Sequence, residues 1–329
     1  MIAISYHDRA DVLQGAKWVE GGPFNRAEWF NLLSENPESN ALFALAQADD
    51  GMAALALRRH EDRLDALTNW YAFTWGPMVS EKADSRPLLT TLARDLKSSA
   101  RRVVLAPLAA ENNSTEELEN SFKSAGWIVF RSECDKNHFL RVNGRTYAEY
   151  LASRPGALRT TLARKSKKLD INIYHVLNDD IWHTYTQIYQ QSWKPQEGSP
   201  DLLKRFAQQE SDAGHLRLAL AHHNGQPVGA QFWTVDHGTA YIHKLAHLPE
   251  AQSLSAGTVL TAALMKHVID IEGVELVDFG TGNDTYKADW MELVRPRFEL
   301  DCYDPGRLLN WPYIARAALH LLATRKSAG

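Results

Sequence analysis

The first half of the chain alternates between two kinds of segment. In one kind the apolar side chains recur with the period of a helix, and in the other they recur every second residue, as in a strand. A helical spacing of apolar positions runs through residues 24–34. Three apolar runs typical of strands follow, and an Asp-Gly turn signal separates the first two of them. Strands are predicted at 41–48, 52–59, 63–68, 102–106 and 127–131, and helices at 84–100 and 115–125.

The second half repeats this order of elements without an obvious identity of sequence. Helices are predicted at 158–169, 179–193, 202–212, 255–271 and 305–326, and strands at 215–221, 227–235, 239–248, 274–279 and 297–303. The turn dipeptide Asn143-Gly144 separates the two halves. The pattern therefore predicts an α/β (α+β) fold of two domains, 1–144 and 145–329, the second ending in an amphipathic helix.

Composition narrows the class of protein. The 329 residues are 44% apolar and 23% charged with a net charge of -4, which is typical of a soluble globular protein. A dedicated nucleic-acid-binding protein would be basic overall, so nucleic acid is not favoured as a partner. The two cysteines lie far apart and no HExxH arrangement occurs, so no metal site is expected. Without a signal-peptide pattern or an apolar run of about 18 residues, a cytoplasmic protein is expected.

The order of meander, helix and strand in the second half has a physical use. A meander strand can diverge from the strand that follows the helix, and the gap then exposes backbone N–H groups beside the positive end of the helix. Such a gap binds phosphates with few charged side chains. A capped helix packed on a sheet is the alternative. The predicted binding residues are Lys244, Leu245, Ala246, Ser255 as the N-cap, Ala256, Gly257 and Thr258.

One segment of the second half has a distinctive pattern. A predicted strand ends in Asp278-Phe279-Gly280, a glycine-containing loop follows, and then come Tyr286-Lys287 and Trp290. Together with the basic run 154–168, this segment resembles the BioF2-like, FemAB-related GNAT acyltransferases with a CelD-like acetyltransferase domain. The resemblance implies two tandem GNAT-like domains, the first degenerate and the second catalytic. Each domain would be a mixed, mostly antiparallel sheet flanked by helices.

The same resemblance implies an N-acyltransferase. Acyl-CoA would be the co-substrate, no cofactor would be tightly bound, and the acceptor would be a small-molecule or lipid amine of envelope lipid or polysaccharide synthesis. The loop 251–257 is poorer in Arg, Gln and Gly than a typical GNAT phosphate loop. Two alternatives therefore stay open, an aminoacyl-tRNA-dependent FemX-like transferase and a non-catalytic GNAT-like binding subunit. Coenzyme A is preferred because the chain has no strongly basic half to hold tRNA.

Three candidate catalytic side chains lie in the distinctive segment. Asp278 could orient the amine or accept its proton, or it could cap its own loop through the backbone of Thr281 or Asn283. Tyr286 could protonate the departing thiolate, and Lys287 could stabilise the oxyanion. The alternative for that pair is a core tyrosine and a solvated lysine.

His243 is the fourth catalytic candidate. It lies near the middle of a predicted strand and could act as a general base, because histidine titrates near neutral pH. A structural histidine is the alternative. His243 and His247 would lie about 13 Å apart along the strand, too far to share one metal ion. The Gly280-Thr281-Gly282 run lacks the third glycine of a dinucleotide fingerprint, so a Rossmann site is not predicted.

Two further segments suggest a contact with a membrane surface. The basic run 154–168 could be a solvated helix face, or it could bind anionic lipid or the carrier's phosphates. The C-terminal helix carries an apolar stripe that could pack on its own domain or touch a membrane. Its stripe comprises Leu308, Leu309, Trp311, Ile314, Ala318 and Leu321. A membrane contact would place the protein at the inner face of the membrane and would favour a lipid amine as acceptor.

Overall fold

The computed structural model describes residues 1–282 and 284–327. Its strands are β1 Ala3–His7, β2 Ala41–Ala48, β3 Gly51–His60, β4 Arg63–Ala66, β5 Met78–Val79, β6 Arg102–Ala109, β7 Ile128–Arg141, β8 Asp170–Tyr174, β9 Leu216–His223, β10 Gln226–Asp236, β11 Thr239–His247, β12 Leu276–Thr281 and β13 Leu293–Tyr303. Its helices are α1 Ala27–Ser34, α2 Ser85–Asp95, α3 Ser114–Ser124, α4 Tyr147–Ala152, α5 Gly156–Lys165, α6 Asp179–Gln191, α7 Pro200–Asp212, α8 Ala256–Asp270, α9 Thr285–Trp290 and α10 Trp311–Ser327.

The first compact unit consists of residues 1–136 and the chain from Arg295 onward. Strands β1 to β4 pair in antiparallel fashion in chain order. Strand β6 then runs parallel to β4, and β13 pairs with β6 in antiparallel fashion. The last strand of this unit therefore comes from the end of the chain.

The second compact unit consists of Asn137–Val294. Strands β8 to β11 are antiparallel, β12 runs parallel to β11, and residues 137–141 of β7 pair with β12 in antiparallel fashion. Each unit thus has the same order of four antiparallel strands, one parallel strand and one antiparallel strand. The predicted domain boundary at residue 145 and the tandem GNAT-like interpretation stay predictions.

Helices cover both faces of the sheet in the second unit. Trp233 of β10 belongs to the core cluster that α4, α5 and α8 build on one face. Its neighbour Phe232 points to the opposite face, since successive strand side chains alternate. There the ring of Phe232 lies 5.9 Å from that of Phe206 on α7. The predicted mixed α/β architecture with a mostly antiparallel sheet flanked by helices is confirmed.

Several elements were not predicted from the sequence. Strand β8 has only five residues and directly follows a basic helical run, so its alternation is too short to stand out. Helices α4 and α9 each have six residues, which is fewer than two turns. Strand β7 continues to Arg141, well beyond the predicted end at 131.

The residues of the predicted C-terminal apolar stripe differ in their exposure to solvent. Leu308 and Leu309, at 83% and 72% exposure, precede α10, whereas Ile314 is buried. The side chain of Leu321 lies outside the described residues. Among the helices described, none is long and apolar enough to cross a membrane.

Replacing Tyr150 by phenylalanine tests how α4 is held in the second unit. The Tyr150 side chain is fully buried, and its hydroxyl donates to the carbonyl oxygen of Trp290 at 2.7 Å. The change leaves that carbonyl without its donor, so the free energy of unfolding should fall by about 1.5 kcal/mol. Urea denaturation measures it. Tyr147→Phe, a half-buried tyrosine of the same helix, is the control, and an equal loss in both variants would contradict the prediction.

Candidate functional site

The parallel strands β11 and β12 separate after a short paired stretch. They pair at Thr239↔Leu276, Ala240↔Val277 and Tyr241↔Asp278, and within the described residues their pairing stops there. Strand β11 remains paired with β10 as far as His247. The edge of β11 from Ile242 to His247 therefore faces a gap where β12 would continue the sheet. This is the divergence that the sequence predicted.

The direction of the backbone N–H groups along this edge follows from one hydrogen bond. The N–H of Leu248 donates to the carbonyl oxygen of Val228, at the end of the β10 pairing. Because N–H groups of an extended strand point alternately to its two edges, those of Ala246 and Lys244 also point to β10. The N–H of Leu245 points to the gap. Of the three predicted backbone donors, Leu245 is thus the one placed to bind a ligand there.

A β-bulge interrupts β11 where the strands separate. Phe232 pairs with Lys244 and Trp233 pairs with Ile242, so His243 has no opposite residue on β10. A bulge of this kind bends its strand and redirects side chains. Here it places His243 and Lys244 on the same face of the sheet, towards α6 and α7.

The predicted base His243 is held by its neighbours on that face. Its Nε2 lies 2.8 Å from the Thr234 hydroxyl oxygen. Its ring lies 5.3 Å from that of Phe206 and 4.8 Å from that of Phe232. These contacts fix the imidazole orientation, which suits a positioning group as much as a base.

The side chain of Lys244 carries an ammonium in a mostly buried setting. It is 10% exposed, and its Nζ lies 3.3 Å from a carboxylate oxygen of Glu197. The same Nζ lies 5.8 Å from the ring centroid of Tyr189. Burial lowers the pKa of Lys244 to about 8, against the opposing effect of the Glu197 carboxylate. An amine with that pKa exchanges protons near neutral pH.

Asp278 occupies the last position at which β12 pairs with β11, and it is almost fully buried. One of its carboxylate oxygens accepts from the side-chain amide of Asn137 at 2.6 Å and from the backbone N–H of Gly280 at 2.8 Å. Gly280 has a φ of 69°, which glycine adopts without strain. Asp278 therefore stabilises its own loop, through Gly280 rather than through the predicted Thr281; Asn283 lies outside the described residues.

Tyr286 and Lys287 differ in exposure. Lys287 is 5% exposed, and its Nζ donates to the carbonyl oxygen of Thr281. The alternative of a solvated surface lysine is wrong, because this ammonium closes the loop after β12. Tyr286 is 42% exposed and packs edge-on against Phe279, with centroids 5.5 Å apart. Burial, with a smaller effect of Asp284, raises the pKa of Tyr286 to about 12, so its hydroxyl stays protonated at neutral pH.

Helix α8 begins beside the separated end of β11. Its N-cap is Ser255, as predicted, with a φ of 56°, but among the described residues the Ser255 side chain makes no capping hydrogen bond. The first hydrogen bond within the helix runs from the N–H of Val259 to the carbonyl oxygen of Ser255. The N–H groups of 256–258 therefore have no acceptor within the helix. A Cβ at Gly257 would lie 3.0 Å from Cδ2 of Leu245, so this glycine makes room for the Leu245 side chain. The ammonium of Lys165 donates to the Ser253 carbonyl at 2.8 Å, which adds positive charge near the helix start.

Sequence reasoning missed four side chains of this region. Asn137 precedes Asp278 by 141 positions, and only the pairing of β7 with β12 joins them. Glu197 lies in the connection 192–199, which has no recognisable motif. Tyr189 has the spacing of an ordinary apolar position of α6. The side chain of Lys244 was overlooked because the prediction concerned its backbone.

The comparisons with known proteins agree with this geometry. Residues 137–288 match the family model described as an acetyltransferase (GNAT) domain. No curated protein sequence matches the chain significantly. The matched segment contains the separated strands and the start of α8, so this part of the chain is similar to a GNAT-type acetyltransferase domain. The finer resemblance to the BioF2-like branch stays a prediction.

Solved structures with the same fold cover most of the chain. FemX is 9% identical with a TM-score of 0.60, over 90% of this chain and 96% of FemX. L-PGS from Bacillus licheniformis, a lysylphosphatidylglycerol synthetase, is 13% identical with a TM-score of 0.57, over 89% of this chain and 91% of L-PGS. A conserved protein of unknown function from Bacteroides thetaiotaomicron is 14% identical with a TM-score of 0.58, over 92% of this chain and 100% of that one. At these identities the likeness concerns the fold alone.

Replacing Lys244 by methionine should change how stability depends on pH. The pKa of Lys244 is about 8 in the folded chain against 10.5 for an ordinary lysine, so between these pH values the unfolded state binds more protons. The folded state therefore gains stability as pH rises through this window, by at most about 1.4 kcal/mol per pH unit. The Lys244→Met variant loses this gain.

The measurement is the free energy of unfolding of both proteins from pH 7 to about 10.5, taken as a difference. Lys266→Met, at an exposed lysine of α8 paired with Asp270, serves as the control and should follow the unchanged protein. Parallel curves for Lys244→Met and the unchanged protein would contradict the assignment.

Proposed function

We propose that the chain is an N-acyltransferase that moves an acyl group from acyl-CoA to a primary amine in the second unit. The observation that carries this proposal is the separation of β11 from β12 beside the start of α8. The gap offers the directed backbone N–H of Leu245, and the adjacent helix end offers several further donors.

The acyl carbonyl would bind at the N–H of Leu245. A backbone N–H is already oriented before the substrate arrives, so it stabilises the developing oxyanion without reorganisation. The thioester is already activated, and alignment with the amine then supplies most of the remaining acceleration.

The phosphates of the carrier would bind at the start of α8. The helix N-terminus has a partial positive charge and free N–H groups of 256–258. Lys165 lies beside it and supplies the full charge that the loop 251–257 lacks. This arrangement compensates for the scarcity of Arg and Gly in that loop.

The reaction would proceed by addition and elimination. The amine nitrogen bonds to the acyl carbon, the carbon–sulfur bond breaks, and the sulfur leaves as a thiol after gaining a proton. Tyr286 is protonated at neutral pH and is a candidate donor of that proton. His243 and Asp278 would position the separated strands, since both are engaged by neighbours.

An aminoacyl ester on tRNA is the second candidate carrier. Its carbonyl would bind at the same N–H of Leu245, and the basic run 154–168 would meet its phosphates. The names FemX and lysylphosphatidylglycerol synthetase among the fold relatives favour testing it. In either case we propose that the first unit, with the same strand order, is a second GNAT-like domain without catalytic function.

A carrier screen tests the function. The protein is mixed with a primary amine and either acetyl-CoA, palmitoyl-CoA or a charged tRNA, and release of free thiol or of uncharged tRNA is followed. Amine-dependent thiol release is expected with an acyl-CoA. Release from tRNA alone would replace acyl-CoA by the second carrier, and release from neither would overturn the proposed activity.

Replacing Lys165 by alanine tests the carrier site. The KM for acyl-CoA should rise about fivefold, which corresponds to about 1 kcal/mol, because one charge next to the helix start is lost. Steady-state kinetics measure it. Lys266→Ala, at an exposed lysine of α8 far along the helix from its start, should stay within about twofold. An unchanged KM in Lys165→Ala would contradict the placement of the phosphates.

A further inference from the structure

A cavity of about 400 Å³ lies on the α6 and α7 side of the second unit. Its walls come from α6, from the connection 192–199 and from the start of α7. Cavities of this size that combine aromatic walls with a few polar groups commonly bind small molecules.

Three aromatic side chains of α6 line the cavity in sequence. The rings of Trp182 and Tyr185 stack with centroids 4.9 Å apart, and those of Tyr185 and Tyr189 lie 6.2 Å apart. Their spacing of three and four residues places them on one helix face. They form a continuous wall that fits a flat or aliphatic body.

The charged groups of the cavity wall lie in the 192–199 connection. Glu197 and Lys194 line the cavity, and the Lys244 ammonium lies 3.3 Å from the Glu197 carboxylate. Burial and the Glu197 carboxylate raise the pKa of the Tyr189 hydroxyl to about 12, so Tyr189 stays neutral beside them. The carboxylate is mostly enclosed, at 11% side-chain exposure, and is therefore a strong partner for an ammonium.

The cavity is connected to β11 through the contact of Glu197 with Lys244. Lys244 and Leu245 are consecutive on β11, and the bulge at His243 turns the Lys244 side chain to the α6 side. The N–H of Leu245 faces the gap. A ligand that contacts the Lys244 amine is thereby held by the residue that precedes Leu245 on β11.

We propose that this cavity is the acceptor site, that it takes a primary amine on an aromatic or aliphatic body, and that Glu197 binds its ammonium while Lys244 accepts its proton. The proposal rests on the acyl-transfer function proposed above. The body of the acceptor lies against the Trp182–Tyr185–Tyr189 wall.

The protons balance in the following way. The acceptor enters as an ammonium, and one proton passes from it to the neutral form of Lys244. The amine nitrogen then bonds to the acyl carbon, the carbon–sulfur bond breaks, and the second proton of the nitrogen ends on the sulfur, directly or by way of Tyr286, to give the thiol. Lys244 returns its proton to solvent.

The charges of the cavity also restrict the acceptor. Glu197 is the carboxylate of the cavity wall, whereas Lys194 adds a second cation at that wall. A polyamine would bring additional positive charge close to Lys194, so like-charge repulsion disfavours it. A monoamine such as 2-phenylethylamine matches both the wall and the single carboxylate.

Binding of 2-phenylethylamine without any acyl donor is the first test. Isothermal titration should detect it in the unchanged protein, and Glu197→Gln should weaken it at least about tenfold, since the charge-assisted contact is lost. Asp201→Asn, at an exposed carboxylate on the first turn of α7, should stay within about twofold. Equal affinity in Glu197→Gln and the unchanged protein would overturn the proposal.

A comparison of ligands on the unchanged protein covers the case in which Glu197→Gln does not fold. The uncharged analogue 2-phenylethanol should bind at least about tenfold more weakly than 2-phenylethylamine, and spermidine should also bind more weakly. Equal binding of the alcohol and the amine would remove Glu197 as the ammonium partner.

Turnover separates this proposal from the proposed function. With acyl-CoA and 2-phenylethylamine, Lys244→Met should lower kcat about a hundredfold while the dissociation constant of the amine changes less than about threefold. Thiol release that is unaffected by Glu197→Gln and Lys244→Met would overturn the acceptor site and leave the acyltransferase standing. Glu197-dependent amine binding without thiol release would leave the amine site standing and overturn the transferase.

Discussion

The separation of β11 from β12 is the constraint on which the functional region depends. Strands that stayed paired would bury the N–H of Leu245 in the ladder, and no donor would face a substrate. Two features mark the point where the strands separate. The bulge at His243 bends β11, and Asp278, at the last position that pairs with β11, accepts from the backbone N–H of Gly280 two residues further on. Helix α8 then approaches β11 closely because Gly257 has no side chain to hold Leu245 away.

The bulge has a second consequence on the opposite side of the strand. Without the extra residue, His243 and Lys244 would point to different faces. With it, both face α6 and α7, and the Lys244 ammonium enters a mostly buried setting. Burying an ammonium is unfavourable unless a partner compensates it, and Glu197 supplies that partner. The compensation is incomplete, which is why the pKa of Lys244 remains low at about 8. One irregularity in one strand therefore both opens the gap and places a titratable group beside it.

The sequence predicted the parts of this region that depend on local pattern. The strand period located β11 and β12, and the order of meander, helix and strand predicted their divergence. The sequence could not predict contacts between distant positions, because a single sequence carries no signal for the hydrogen bond between Asn137 and Asp278. The alternation of apolar and polar residues could not reveal the bulge at His243 either, since one extra residue shifts this alternation without changing the composition of the strand. Glu197 was not predicted for a similar reason, because the residues of a loop show no periodic pattern of apolar positions.

The motif after β12 shows which features of a site a sequence resemblance predicts and which it does not. Asp278, Gly280 and Lys287 all contribute to holding the loop, through a carboxylate, a positive φ and a buried ammonium. Of the motif's candidate side chains, Tyr286 retains an exposed polar group. A motif that specifies loop geometry identifies the fold of the site reliably, because that geometry needs those residue types. It is less informative about the substrate, since the groups that would meet an acceptor lie on β11 and in the 192–199 connection, where length and composition are free to vary between proteins of one fold.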